Sequence, residues 1–267
     1  MSENNQMLTF GGHLEVLRRV LFRVLAVTAV FACVIFCFKD TTFELLLAPS
    51  KSDFCLYRWI EQFFAWIGYD FHFSPFGVDL IATDLSSQFM THISSSLYLG
   101  LLGASPYILF ELFRFISPAL YENERKYSIP VLLIIYALFL IGVLMSYFIL
   151  FPISFRFLGT YSVADQVHST ITLDSYITTF VTLTLVMGVV FQLPVIAFFL
   201  AKLGVITSDM LARYRQYAFI IIMVVAAIIT PPDLMTLVLV TIPLYLLYEI
   251  SIIVTKRVPS HSDTAEA

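Results

Sequence analysis

Charge is scarce in this chain of 267 residues: 13% of its residues are charged, about half the share of an ordinary soluble domain. With 59% of residues apolar and 16% aromatic, a water-soluble globule is excluded. An excess of basic charge is also missing, since 15 Lys and Arg stand against 19 Asp and Glu for a formal charge of −4. Nothing here offers nucleic acid a basic surface, and that partner class is excluded. Of the three cysteines, Cys33 and Cys37 lie four apart in an apolar run and Cys55 is alone. Without a C-x-x-C or a Cys/His cluster, neither a zinc site nor a disulfide framework is suggested. H-E-x-x-H, G-x-S-x-G and P-loop motifs are missing, and His13, His72, His92, His168 and His261 are scattered without ligand spacing. Enzymatic activity and a bound cofactor therefore have no residues to rest on, and neither is expected. Nor is there a 20- to 50-residue repeat or an echo between the two halves of the kind many transporters carry.

What is present is long apolar runs. A helix needs roughly 20 residues to cross about 30 Å of hydrocarbon, and six candidate spans fit: 20–38, 88–112, 127–151, 175–201, 216–230 and 234–254. Met1–Gly12 is polar and lacks a basic n-region, and the first apolar run is too long for a signal-peptide core, so it reads as a retained first helix. The fifth and sixth runs are parted only by Thr230-Pro231-Pro232-Asp233, which cannot continue a helix and must reverse the chain. The expectation is an all-α polytopic membrane protein, one integral membrane domain over 1–267, with short fifth and sixth helices. Lys and Arg are retained on the cytoplasmic side. One set of ends holds eleven of them: Arg18, Arg19, Arg23, Arg114, Arg125, Lys126, Lys202, Arg213, Arg215, Lys256 and Arg257. The opposite set holds four, Lys39, Lys51, Arg58 and Arg156, so both termini are cytoplasmic. The outer loop 39–87 carries Trp59, Phe63, Phe64, Trp66 and Tyr69 among scattered charges. It reads as an amphipathic segment at the outer interface, a reading favoured over partner binding. The fifth run supplies about 22 Å at 1.5 Å per residue, so it is either tolerated mismatch or a thinning of the membrane.

One cytoplasmic stretch stands out, Phe113-Arg114-Phe115-Ile116-Ser117-Pro118-Ala119-Leu120-Tyr121-Glu122-Asn123-Glu124-Arg125-Lys126. With His13-Leu14, Leu17-Arg18, Ile81-Ala82-Thr83-Asp84, Ser105-Pro106-Tyr107, Phe191–Pro194, Gly204–Thr207, Thr230–Asp233 and Tyr248-Glu249-Ile250, it resembles the TatC family, the signal-peptide receptors of the twin-arginine translocase. The resemblance runs in order over almost the whole chain and implies six helices with both ends inside. It also implies a receptor and scaffold that binds twin-arginine signal peptides of folded precursor proteins and recruits single-span TatA/TatB-type subunits. Further implications are a homo-oligomer in membrane lipid, export driven by the proton-motive force, and residence in the bacterial inner membrane.

Residue by residue, Glu124 matches the family's loop glutamate, Glu122 is a local addition and Phe115 matches the loop phenylalanine. Physically, two adjacent arginines present two permanently charged planar forks, which carboxylates answer with charge-assisted bonds. On a solvated surface the same glutamates would instead pair with Arg125, Lys126 or Arg114 for roughly 0–1 kcal/mol. The family's N-terminal glutamate falls on Val16 here, leaving Glu15 one position earlier, turned by about 100° around a helix. The intramembrane glutamate of the family is Gln192, which can hydrogen-bond but holds no charge. Asp233 matches the family's aspartate, although capping the sixth helix would explain it alone. Leu237 stands where some members have a polar residue for the small partner. Glu249, costly in lipid, should face protein or pair with a base such as Arg23. The competing reading is a small secondary transporter or channel whose path is lined by Gln192, His92 and Glu249.

Overall fold

The computed structural model describes residues 10–69, 79–116, 128–162, 164 and 170–257. Helix dominates them because hydrocarbon offers no partner to a backbone N–H or C=O, and a helix satisfies both within one segment. α1 (Phe10–Cys37) carries the first span, followed on the outer side by α2 (Lys39–Leu47), a 3₁₀ turn at Ala48–Ser50 and α3 (Cys55–Ile67). α4 (Ser87–Ile116) is the second span. The third is composite: α5 (Ser128–Met145), a π-helical turn at Ser146–Leu150 and α6 (Phe151–Thr160). Pro152 has no N–H to give the preceding turn, and the widened turn is closed by Phe151 N–H reaching back to Ser146 O. This carries the span to Thr160, well past the expected end at 151.

The fourth span is broken rather than continuous, into α7 (Leu173–Val190) and α8 (Leu193–Lys202). Pro194 cannot donate to Val190, and the chain steps across through Gln192 N–H to Val189 O (3.0 Å) and Ile196 N–H to Gln192 O (2.9 Å). α9 (Ser208–Arg213) leads into α10 (Arg215–Ile229), whose 15 residues are indeed short, and α11 (Leu234–Thr255). The sixth helix corrects the expectation of shortness. Its 22 residues keep Pro243 inside the helix and reach about 33 Å, enough to cross.

The chain divides into two compact units, one from 1–39 and 92–136, the other from 40–91 and 137–267. In the first, a Cβ added at Gly100 would lie 2.7 Å from Ala32 N, so only glycine admits the α1 backbone there. Elsewhere α1 is largely uncovered, with 6% of its apolar window buried and Leu21, Phe22, Leu25 and Val30 exposed.

The second unit holds the densest packing. Leu46, Leu150, Leu183, Met187, Val240 and Leu244 are buried completely or nearly so. Phe151 meets Tyr176 and Phe180 edge-to-face, both at 5.0 Å between ring centroids. Gly142 sits against Met187 O, which a Cβ would approach to 2.6 Å. Three tyrosine hydroxyls tie the outer segment down: Tyr57 donates to Pro152 O (2.9 Å), Tyr147 to Leu45 O (2.9 Å) and Tyr176 to Leu46 O (2.8 Å). α3 is amphipathic as its sequence suggests, with Leu56 and Tyr57 buried while Trp59, Phe63 and Trp66 are exposed. A short parallel pairing, β1 (Leu80–Ile81) with β2 (Ile171–Thr172), joins the outer loop to the start of α7.

Candidate functional site: charges at the inner ends of the helices

In the first unit the inner end is built from the start of α1 and the end of α4. Spacing of three and four residues brings Glu15, Arg18, Arg19, Phe22 and Arg23 to one side of α1, where they line a hollow of about 330 Å³. Glu15 is exposed and accepts from Arg19 at 2.8 Å one turn on. Arg18 lies over the Phe22 ring at 5.7 Å. Arg23 reaches Glu111 of α4 at 3.4 Å, and Tyr107 donates to the same Oε1 at 2.9 Å. Glu111 is 3% exposed, so its charge is tolerated only because these two donors converge on it.

Glu111 escaped the sequence reading. Its signal was there, a carboxylate in Phe110-Glu111-Leu112-Phe113 inside an apolar run, and an ionisable group in a span needs a partner. Half-buried Phe115 follows one turn later at the end of α4. Glu122 and Glu124 lie outside the described residues.

The second unit keeps its own pair. Arg215 at the start of α10 holds Glu249 of α11 at 2.9 Å, and Tyr245 donates to the other carboxylate oxygen at 3.1 Å. This corrects the expected Arg23 partnership: Glu249 takes Arg215, while Arg23 takes Glu111. Position decides it, because the reversal at Pro231-Pro232 returns α11 alongside α10 and brings the inner ends of both together. Gln192 is buried at the α7–α8 step. Asp233 caps α11, its Oδ1 accepting Thr236 N–H at 2.6 Å, as a helix N-terminus alone would require. His92, assigned to a solute path in the competing reading, stacks on Phe36 at 4.2 Å. No cluster of three His, Cys, Asp or Glu able to hold a metal occurs among the described residues.

The model of the family described as Sec-independent protein translocase protein (TatC) matches residues 12–243. The chain belongs to this family. A TatC of Blattabacterium sp. subsp. Periplaneta americana (strain BPLAN) is 31% identical over 258 residues, 95% of this chain and 97% of that protein. TatC of Escherichia coli K12 is 31% identical over 239 residues, covering 90% and 84% of the two chains. Among solved structures, a crystal structure of the twin-arginine translocase receptor TatC matches with TM-score 0.72 and 35% identity, over 91% of this chain and 98% of that one. The family is the receptor component of the twin-arginine system, located in the bacterial inner membrane, and the six-helix architecture follows with it. A solute transporter is thereby set aside.

Proposed function

We propose that this TatC-family chain receives twin-arginine signal peptides of folded precursors at its cytoplasmic face, chiefly through Glu124 and Phe115. The observation that carries this reading is the family match over 12–243, which takes in the F-I-x-P-A-L-Y-x-x-E-R string beginning at Phe115 in the last turn of α4. A guanidinium fork matches a carboxylate with two parallel bonds, and an ammonium does not. Glu122 and Glu15 are secondary contacts. Glu15 is already held by Arg19 at 2.8 Å, so an incoming arginine must displace a resident one from a site where three arginines face one glutamate.

The chain works as one integral membrane domain that recruits single-span TatA/TatB-type subunits and assembles as a homo-oligomer. Gln192 and Asp233 are candidate contacts for partner or peptide, and Glu249 serves through its bond to Arg215 as the fastener of the last two helices. Energy comes from the proton-motive force, and no chemical step is catalysed.

The test is crosslinking of the membrane-embedded chain to a signal peptide bearing Arg-Arg or Lys-Lys, with and without Glu124→Ala. Loss of a charge-assisted contact costs about 1.5–3 kcal/mol, or about 10- to 150-fold in affinity. Equal capture of the two peptides, or undiminished capture and export by an abundant Glu124→Ala chain, would refute the reading.

A further inference from the structure

Glu111 is a carboxylate used at half its capacity. Arg23 and Tyr107 both donate to Oε1, at 3.4 and 2.9 Å, and Oε2 has no partner among the described residues. An ionised carboxylate accepts at both oxygens, and burial of this one, 3% exposed, denies it the water that would fill the second place. The resident cation is also loosely held. Its 3.4 Å compares with 2.8 Å for Arg19–Glu15 and 2.9 Å for Arg215–Glu249, and a charge-assisted N–H···O bond settles at about 2.7–2.9 Å.

Arg23 connects this carboxylate to the open. It lines the hollow with Glu15, Arg18, Arg19 and Phe22, whereas Glu111 does not. Half of its side chain is exposed, and its apolar stem lets the guanidinium turn to water while the helix stays in place. A guanidinium arriving through the hollow therefore meets Arg23 first and Glu111 behind it. Exchange removes a cation held by one long bond and installs a fork able to take Oε1 and Oε2 together. The charge balance is kept, since one guanidinium replaces another on a buried carboxylate that must keep one. An ammonium gains less, having no second parallel bond to offer.

We propose that Glu111 is a second acceptor for the arginine pair of the signal peptide, and that Arg23 is its internal stand-in, released when the peptide binds. The proposal rests on the reading that twin-arginine peptides are received at this face, and it supplies two carboxylates for two arginines, Glu124 on the loop and Glu111 near the end of α4. In the empty receptor Arg23 keeps the buried charge compensated. It also sets a threshold, because only a ligand that bonds Glu111 better than the resident does gains from the exchange.

The experiment measures the affinity of labelled signal peptides bearing Arg-Arg or Lys-Lys for the full chain in one detergent. The proteins are wild type, Arg23→Ala, Glu111→Gln, the double variant of these two, Glu124→Ala, and Arg213→Ala, which removes an exposed inner-side arginine outside the hollow. The gain on exchange is the difference between a two-point charge-assisted bond and a long single one, about fivefold in Kd. Arg23→Ala removes the competitor and should bind the Arg-Arg peptide at least about fivefold more tightly than wild type, and Glu111→Gln about fivefold more weakly. In the double variant the gain should vanish, because it depends on the carboxylate. Saturating Arg-Arg peptide should also raise the melting temperature of Arg23→Ala more than that of wild type, since it replaces the missing guanidinium. Arg23→Ala binding no more tightly than wild type, the same gain in Arg213→Ala, or a gain that survives in the double variant would overturn the exchange. The reading of Glu124 survives that result where wild type prefers Arg-Arg and Glu124→Ala loses the preference. Equal binding of the two peptides by wild type would sink that reading, and this proposal with it.

Discussion

Removing the exposed partner of the Arg23–Glu111 pair should harm the protein more than neutralising the buried one. The side chain of Glu111 is 4% exposed and that of Arg23 53%. Arg23→Ala leaves an ionised carboxylate buried with the Tyr107 hydroxyl, at 2.9 Å, as its remaining donor among the described residues. Breaking a fully buried pair in this way costs about 3–5 kcal/mol. Here the lost bond is long, at 3.4 Å, and its cation half-solvated, so a cost of about 1.5–3 kcal/mol is expected. Glu111→Gln acts differently: the amide oxygen still accepts from Tyr107, no charge is stranded, and Arg23 extends its guanidinium to water over its apolar stem. That substitution should cost under about 1 kcal/mol. At roughly 2–4 °C per kcal/mol for a chain of this size, Arg23→Ala should melt about 3–12 °C below wild type and Glu111→Gln within about 4 °C. The double variant should regain most of what Arg23→Ala loses, because the uncompensated charge has gone. Thermal unfolding of the four purified proteins in one detergent, followed by circular dichroism, reads all three values. Glu111→Gln melting at or below Arg23→Ala, or a double variant no better than Arg23→Ala, would refute the account.

Gly142→Ala should destabilise by about 1–3 kcal/mol, because its methyl would meet Met187 O at 2.6 Å and a backbone carbonyl cannot turn aside. Gly103→Ala should cost less in the same melting assay, since its obstacle at 2.9 Å is the movable ring of Phe31. Tyr57 lies outside the spans, and burial raises its hydroxyl above the usual value of 10, opposed by the charge of Arg156 and its hydrogen bond. The unfolded chain then ionises first, so the stabilisation is complete below pH 10 and lost as pH climbs through the raised folded value. Tyr57→Phe should flatten that alkaline decline while costing about 0.5–1.5 kcal/mol at neutral pH for the bond to Pro152 O. An unchanged alkaline slope in Tyr57→Phe would count against the assignment.

The spans were legible because lipid makes a one-dimensional demand. Residues must be apolar for long enough, and α4 and α10 answer it with ends close to those expected, while α1 ends as expected but begins at Phe10, well before 20, because its basic first turns are helical too. Interruptions inside spans were less legible. Pro152, Pro194 and Pro243 look alike in sequence, yet the first follows a π-helical turn, the second a break at Phe191–Gln192, and the third leaves α11 intact. The difference lies in what surrounds each proline. Near Pro152, the hydroxyls of Ser146 and Thr184 pair at 3.3 Å beside the widened turn. Pro243 is itself buried among α11 side chains that pack along the whole helix.

Partner choice among charges was illegible for a related reason. Counting Lys and Arg by side fixes orientation, since each basic residue contributes whatever it touches. Pairing depends on which helix ends meet. Arg23 could be matched on sequence with either Glu111 or Glu249, since all three sit at inner ends. What separates the two carboxylates is their neighbours: a tyrosine four residues earlier supports each, Tyr107 for Glu111 and Tyr245 for Glu249. That spacing puts phenol and carboxylate on one helix face, so each helix carries a half-satisfied acceptor awaiting one cation from elsewhere. The Tyr-x-x-x-Glu pattern announces that a guanidinium is needed. Only the reversal at Pro231-Pro232, which returns α11 beside α10, says that for Glu249 the guanidinium is Arg215.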